Sequence, residues 1–274
     1  MGSKKLIALD LDETTLDGNS RLSPRTLRTL KRVIAAGHCV AVASGRPYSS
    51  LPAEVMEIPG IRYAITSNGA SVYDSVTGGR VYSLPMPADR VAGLLSMLDG
   101  YPDVMIEVYY EGTPYAEDAY IADPTLYGVP AGKTGYIQRT RNPIHGIRAF
   151  ADSHRDSLDS FDIIVRDEED KAAWKKRLEA FGGLYITTSA SYRLETSNEK
   201  GGKGAALKAL SAMLEISRED VIAFGNGEND LDMICFAGVG VAVANSHPLL
   251  LEAADMIAPA NTGDGVAKML GGLL

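Results

Sequence analysis

Residues Lys4–Ser20 read KKLIALDLDETTLDGNS, an apolar run of strand length that ends in two aspartates one residue apart, Asp10 and Asp12, with Thr14 close behind. From Leu6 to Leu9 there is no polar side chain, as in a strand buried on both faces. An aspartate at a strand end commonly forms a turn or a helix N-cap, and a pair flanking Leu11 could do so twice. The end of a buried parallel strand is also where an open α/β sheet places its chemistry. The residues that follow decide between the two.

Next comes LSPRTLRTLKRVIAAGH, in which Ser23 is a natural N-cap, Pro24 fits the first helical position and Gly37 ends the segment. Leu27, Leu30 and Ile34 recur at helical spacing between them. CVAVASGRP is a second apolar run, and it too ends in small polar residues, Ser44 and Gly45. Strand, helix, strand is a βαβ unit, which requires a parallel sheet and a right-handed crossover. IRYAITSNGASVYDSVTGGRVYS reads as a third strand and a hairpin, with Ser67-Asn68-Gly69 and Gly78-Gly79 as turn signals.

The texture changes after residue 84. Between 85 and 191 the segments are more polar, and VMIEVYYEGTPYA alternates like strands facing water on one side. FDIIVRDEEDKAAWKKRLEAFGGLYITTSASYRLET reads strand, helix, then two strands. The chain thus divides into a first core part (1–84), an inserted α+β layer (85–191) and a second core part (192–274). In the last part KGAALKALSAMLEI is helical, with Ala206, Leu207, Leu210 and Leu214 on one face, and VIAFGNGENDLDM runs from a strand into a loop and helix start. VGVAVANS and DMIAP are two further short strands. The fold class is α/β, a doubly wound parallel sheet carrying an insertion.

Composition sets the outer bounds. The 274 residues are 45% hydrophobic and 23% charged, the signature of a globular protein with ample core. A net charge of −8 argues against nucleic-acid or anionic-membrane partners. No stretch approaches the roughly 20 apolar residues that span a bilayer. Asp10 and Asp12 interrupt the only N-terminal apolar run, so no signal peptide is expected and the cytoplasm is the default. Cys39 and Cys235, each in an apolar segment, read as small buried hydrophobes in a reducing compartment. The four histidines are scattered and support neither a zinc cluster nor a Ser-His-Asp triad.

Three strands end in polar clusters: Asp10-x-Asp12-x-Thr14, Ser44-Gly45-Arg46, and Asn226-Gly227-Glu228-Asn229-Asp230. In a parallel sheet all C-terminal strand ends share one edge, so these clusters can converge. Lys203, flanked by Gly201, Gly202 and Gly204 at a helix start, joins them. Together they supply carboxylates for a hard cation, a hydroxyl with backbone amides, and an ammonium, a set suited to a phosphoryl group and Mg²⁺. Each residue has a duller reading when taken alone. Asp12 and Asp17 form turns, Ser44 caps a helix near Tyr48, Lys203 is one solvated lysine among many with Lys200 as its rival, and Glu228 and Asp232 are exposed helix-start residues.

Four motifs in this order, LDLDETTL, VASGRP, KGAAL and GNGENDLDM, together with TSNGASVYD and the C-terminal NSHPLLLEAADMIAPANTGDGVAKML, resemble the haloacid dehalogenase-like (HAD) superfamily of phosphatases, in its Cof-type branch with a large α/β cap. The resemblance covers the core on both sides of the insertion and the position of the insertion itself. It implies that Asp10 attacks phosphorus and carries an aspartyl-phosphate, and that Asp12 protonates the leaving oxygen and then activates water. It implies further that Thr14, Ser44, the backbone around Leu11 and Gly45, Asn229 and, secondarily, Arg46 bind the phosphoryl group, and that Lys203 neutralises charge. Mg²⁺ is expected at Asp10, the Asp12 carbonyl, Asn226 and Asp230. The implied partner is a small phosphorylated metabolite; a sugar phosphate, flavin mononucleotide and pyridoxal phosphate all stay open, and the oligomeric state is not readable.

The sequence departs from that pattern at two positions. Asn226 stands where an aspartate is usual, which removes one negative charge from the expected metal site, and Glu13 stands where glycine is common. A phosphomutase on the same fold, or a weakened phosphate-ligand binding protein, are the competing readings, whereas a two-carboxylate glycosidase explains neither Lys203 nor the glycine-flanked amides. Tyr109, Tyr110, Tyr115, Tyr120, Tyr127 and Tyr136 in the insertion either stack on a ligand or pack their own sheet.

Overall fold

A computed structural model describes residues 3–273. In chain order the first elements are β1 (Leu6–Leu9), α1 (Pro24–Ala35), β2 (Cys39–Ala43), α2 (Ala53–Met56), β3 (Ile61–Thr66), β4 (Ser71–Asp74) and β5 (Gly79–Ser83). Then follow α3 (Ala88–Leu98), β6 (Ile106–Tyr110), β7 (Thr113–Glu117), α4 (Asp118–Ala122), α5 (Ala131–Thr140), β8 (Asn142–Ile144), α6 (Ile147–Ser153), β9 (Leu158–Ile164), α7 (Glu168–Phe181), β10 (Leu184–Thr187) and β11 (Arg193–Asn198). The chain closes with α8 (Lys203–Met213), β12 (Val221–Gly225), α9 (Leu231–Phe236), β13 (Val239–Val243), α10 (Pro248–Ala253), β14 (Met256–Ala258) and α11 (Gly265–Leu273). No helix among the described residues is long and apolar enough to cross a membrane.

Two compact units result. The core unit holds the residues up to Arg46, Leu51–Tyr82 and everything from Gly202 on. Its eight-stranded sheet runs β14-β13-β12-β1-β2-β3-β4-β5. The pairs β1–β2, β1–β12, β2–β3, β12–β13 and β13–β14 are parallel, and β3–β4 is antiparallel, as the hairpin signal requires. Strand β1 is wholly buried because both its faces and both its edges are covered, which is why its sequence is uninterruptedly apolar. Helix α1 starts where its sequence says: the Ser23 side chain accepts from the Thr26 amide at 3.0 Å, Pro24 is the first helical residue, and Gly37 takes φ 93° beyond the end.

The inserted unit comprises Pro47–Ser50 and Ser83–Gly201, with a six-stranded sheet ordered β10-β11-β9-β6-β7-β8. It differs from the sequence-based division at its C-terminal end. The second core part was expected from residue 192, but β11 pairs antiparallel with β9 (Arg193 opposite Ile164, Thr196 opposite Phe161) and buries Leu194 in the inserted unit's apolar cluster, so the return to the core falls at Gly202. The water-facing reading of β6 also fails: Ile106–Tyr109 are all buried, one face under α3, α6 and α7, while on the other Glu107 meets Tyr120 and Arg141. The tyrosines pack this unit internally, as in Tyr120–Tyr127 and Tyr115–Phe150 with ring centroids 5.6 and 4.8 Å apart. The cysteines need correcting too. Both are free thiols, but Cys39 is half-buried and Cys235 exposed, since α9 turns Met233 and Ile234 inward and leaves the next residue to solvent.

Candidate active site

The C-terminal ends of β1, β2, β3 and β12 lie side by side along the core sheet. Asp10 continues β1 by one residue, its amide donating to the Phe224 carbonyl at 3.0 Å, and its side chain is nearly buried. Residues Leu11–Thr15 then form a single wide turn closed by Leu16 N–H to Leu11 C=O at 2.9 Å. Glu13 sits in that turn at φ 59°, ψ 12°, in the left-handed region where glycine is at ease. This backbone requirement is the physical content of the glycine usual there. The turn separates the two aspartates by environment, leaving Asp12 half exposed.

Lys203 is fully buried as the first residue of α8, while Lys200 is exposed, which ends their rivalry. The Lys203 ammonium donates to Asp10 Oδ1 at 2.8 Å and to Asp230 Oδ1 at 2.6 Å. Carboxylates more than two hundred positions apart do meet, and the cation between them is this lysine. Burial first, then the Asp230 charge, pushes the Asp10 carboxyl up to about 7, with Lys203 opposing both. Burial works against the Lys203 charge, but its two carboxylate partners outweigh it and hold the ammonium well above the usual lysine range.

Asp230 is engaged on both oxygens. Its Oδ2 accepts from the Asn226 and Gly227 amides, each at 2.9 Å, and Oδ1 takes Lys203. In this structure it anchors the loop after β12 and orients the lysine. Gly225 makes room for it, since a Cβ there would fall 2.5 Å from that of Asp230. Thr14, expected on the phosphoryl group, donates its hydroxyl to Asn226 Oδ1 at 3.0 Å and so aims that amide. Asp10 Oδ2 has no hydrogen-bond partner among the described residues.

At the end of β2 the Ser44 hydroxyl accepts from the Arg46 amide at 3.1 Å, and its own hydrogen has no acceptor among the described residues. Arg46 grips Asp12 through both carboxylate oxygens, Nε to Oδ2 at 2.8 Å and Nη2 to Oδ1 at 2.6 Å. Sequence reading missed two residues here. Asp232, expected to be exposed, accepts from the Gly204 amide at 2.9 Å and so fixes the start of α8 beside Lys203; an acid just past Asp230 carries no signal of so distant a partner. Asn68, read only as a turn former, accepts from Asn229 Nδ2 at 3.0 Å.

A buried acid–lysine–acid arrangement thus stands with strand-end hydroxyls and amides at the C-terminal ends of the parallel strands. The family model of the haloacid dehalogenase-like hydrolases matches residues 7–270, and the chain belongs to that family. Relatives carry phosphatase names. It is 29% identical to the 5-amino-6-(5-phospho-D-ribitylamino)uracil phosphatase YitU of Bacillus subtilis, over 97% of this chain and 96% of that one. It is 26% identical to the pyridoxal phosphate phosphatase YbhA of Escherichia coli, over 97% of each. Among solved structures, a haloacid dehalogenase-like hydrolase from B. subtilis superposes with a TM-score of 0.81 at 27% identity, covering 98% of this chain and 100% of that one. The protein is a HAD-type phosphatase with an inserted α+β domain in its parallel-sheet core.

Proposed function

We propose that the protein hydrolyses a small phosphomonoester with Mg²⁺ through an aspartyl-phosphate on Asp10. The observation that carries the reading is the Asp10–Lys203–Asp230 bridge, which holds Asp10 Oδ1 in place and leaves Oδ2 without a partner among the described residues. The donor set fits a hard divalent cation. Asp10 and Asp230 are two buried carboxylates against one ammonium, and Asp10 is pushed up to about 7 by burial and the neighbouring negative charge. The Asp10 carboxylate, the Asn226 carboxamide oxygen and the Asp12 main-chain carbonyl would hold the ion. Mg²⁺ there would supply charge neutralisation between nucleophile and phosphoester.

The remaining work falls to the chain's own groups. An Asp10 oxygen attacks phosphorus and forms the acyl-phosphate bond as the ester oxygen departs with a proton from Asp12. Asp12 then takes a proton from water as its oxygen bonds to phosphorus; the P–O bond to Asp10 breaks, which frees phosphate and restores the Asp10 carboxylate. Arg46 occupies both Asp12 oxygens in this structure, so the acid role requires Arg46 to exchange Asp12 for phosphoryl oxygens. Ser44, the Gly45 and Leu11 amides and Asn229 bind those oxygens, and Lys203 screens the charge that builds on them. Choice of substrate is assigned to the insertion. The relatives' names support a small phosphorylated metabolite as that substrate.

The test is Mg²⁺-dependent release of inorganic phosphate from p-nitrophenyl phosphate and from a panel of phosphorylated metabolites, with the release lost in Asp10→Asn. Phosphate retained on an isomerised product instead would make the protein a mutase.

A further inference from the structure

The turn Ser67–Gly69 at the end of β3 takes no part in the proposed chemistry, yet it is built under strain. Three consecutive residues have positive φ: Ser67 at 50°, Asn68 at 50° and Gly69 at 90°. L-residues other than asparagine rarely enter that region, and such a conformation persists only where its surroundings impose it. Here they do. Ser67 N–H donates to the Arg46 carbonyl at 3.0 Å and Asn68 N–H to the Ser44 carbonyl at 3.3 Å. Asn68 Oδ1 accepts from Asn229 Nδ2, and it also lies 3.0 Å from where a Cβ on Gly45 would stand. Gly69 packs on the start of α8 so tightly that a Cβ would fall 2.0 Å from the Gly202 carbonyl oxygen and 2.9 Å from the Lys203 nitrogen. One buried turn therefore touches the exit of β2, the start of α8 and the loop after β12.

We infer that Asn68 is a positioning residue for the phosphoryl group, a role that rests on the phosphatase reading above. Its carboxamide oxygen makes Asn229 present its nitrogen, one of whose hydrogens is taken by Asn68 and the other left for a phosphoryl oxygen. Its backbone amide fixes the Ser44 carbonyl, and with it the direction of the Ser44 hydroxyl and the Gly45 amide. Asn68 itself touches no reacting atom. Asparagine suits the place because it tolerates the left-handed backbone and carries the acceptor at once.

The experiment compares wild type, Asn68→Gly, Asn68→Asp, Asn229→Ala and the Asn68→Gly/Asn229→Ala double variant. Asn68→Gly keeps the backbone conformation and removes only the carboxamide. Readouts are kcat and KM for p-nitrophenyl phosphate with Mg²⁺, affinity for inorganic phosphate by calorimetry, and Tm. Asn68→Gly is expected to weaken phosphate affinity and kcat/KM about tenfold, the scale of one hydrogen bond, with Tm within about 2 °C. The double variant should be no worse than Asn229→Ala alone, because both remove the same contact. A folded Asn68→Gly with wild-type phosphate affinity, or two losses that multiply in the double variant, overturns the inference. If Asn68→Gly does not fold, Asn68→Asp decides. It keeps the acceptor and adds a charge, so raised KM with kcat retained supports positioning, and lost kcat with unchanged KM refutes it. A wild type that binds phosphate but releases none from any ester would break the phosphatase reading, and the calorimetric comparison would still test Asn68.

Discussion

The core and the inserted unit each hold a buried cluster with one more acid than base, and they resolve it in opposite ways. In the core, Asp10 and Asp230 share Lys203. In the insertion, Glu107, Asp162 and Glu195 stand in register across β6, β9 and β11, against Arg141 and Arg193. Each cluster contains a carboxyl pushed far up chiefly by burial, Asp10 to about 7 and Asp162 to about 8. Asp162 Oδ2 is sealed in without a hydrogen-bond partner among the described residues, with Ser160 on its other oxygen, and beside it stand Arg193, Glu195, Glu107 and Tyr109. Asp10 instead stands at the sheet edge among the groups proposed to bind phosphate. A raised carboxyl therefore marks a site only where its free oxygen has somewhere to act.

The sharpest way to break the comparison is to neutralise both acids. Asp10→Asn should lower kcat by roughly 10⁴-fold or more, as loss of a nucleophile does, and Asp162→Asn by no more than about twofold. Equal losses would erase the distinction. Next in size is the metal requirement. Asn226→Asp puts a carboxylate beside Thr14 in the loop after β12, and the half-saturating Mg²⁺ concentration should fall on the order of tenfold, read by titration of phosphate release; an unchanged value would mean Asn226 is not a ligand.

The pH dependence of stability comes third. Asp162 has its folded value raised above the ordinary 3.8, so its protonated form stabilises the fold fully below about pH 4, and that contribution is lost as pH rises through about 8. Thermal unfolding should show Tm falling between about pH 4 and 8 in wild type and a flatter profile in Asp162→Asn. The smallest effect belongs to the turn after Asp10. Glu13→Gly relieves a left-handed glutamate and should stabilise by about 1 kcal/mol, seen as a rise in the urea midpoint.

Much of the core was legible because its physics is local or periodic. Buried parallel strands need apolar runs, α1 announces its own cap, and strand-end polar clusters must share an edge if the sheet is parallel. The convergence of Asp10, Lys203 and Asp230 followed from topology. What escaped notice depends on partners. Glu107 alternates with apolar neighbours as a water-facing residue would, and nothing in β6 says that Arg141 from a distant helix end takes the place of solvent. The membership of β11 is a pairing choice between two sheets, invisible in its own residues. The contacts that Asp230 and Thr14 make could not be read in advance, because which lone pair faces which donor is fixed only by the folded loop.

The place of β12 beside β1 has a consequence for assembly. The Asp10 amide finds its acceptor on Phe224, and its counter-ion arrives on α8, so the N-terminal strand cannot complete its pairing until residues beyond 200 are available. The inserted sheet, by contrast, is built from strands lying between 106 and 198. During synthesis the excursion therefore has all its strands in hand while β1 still lacks one of its two neighbours, and Asp10 spends that interval without its lysine.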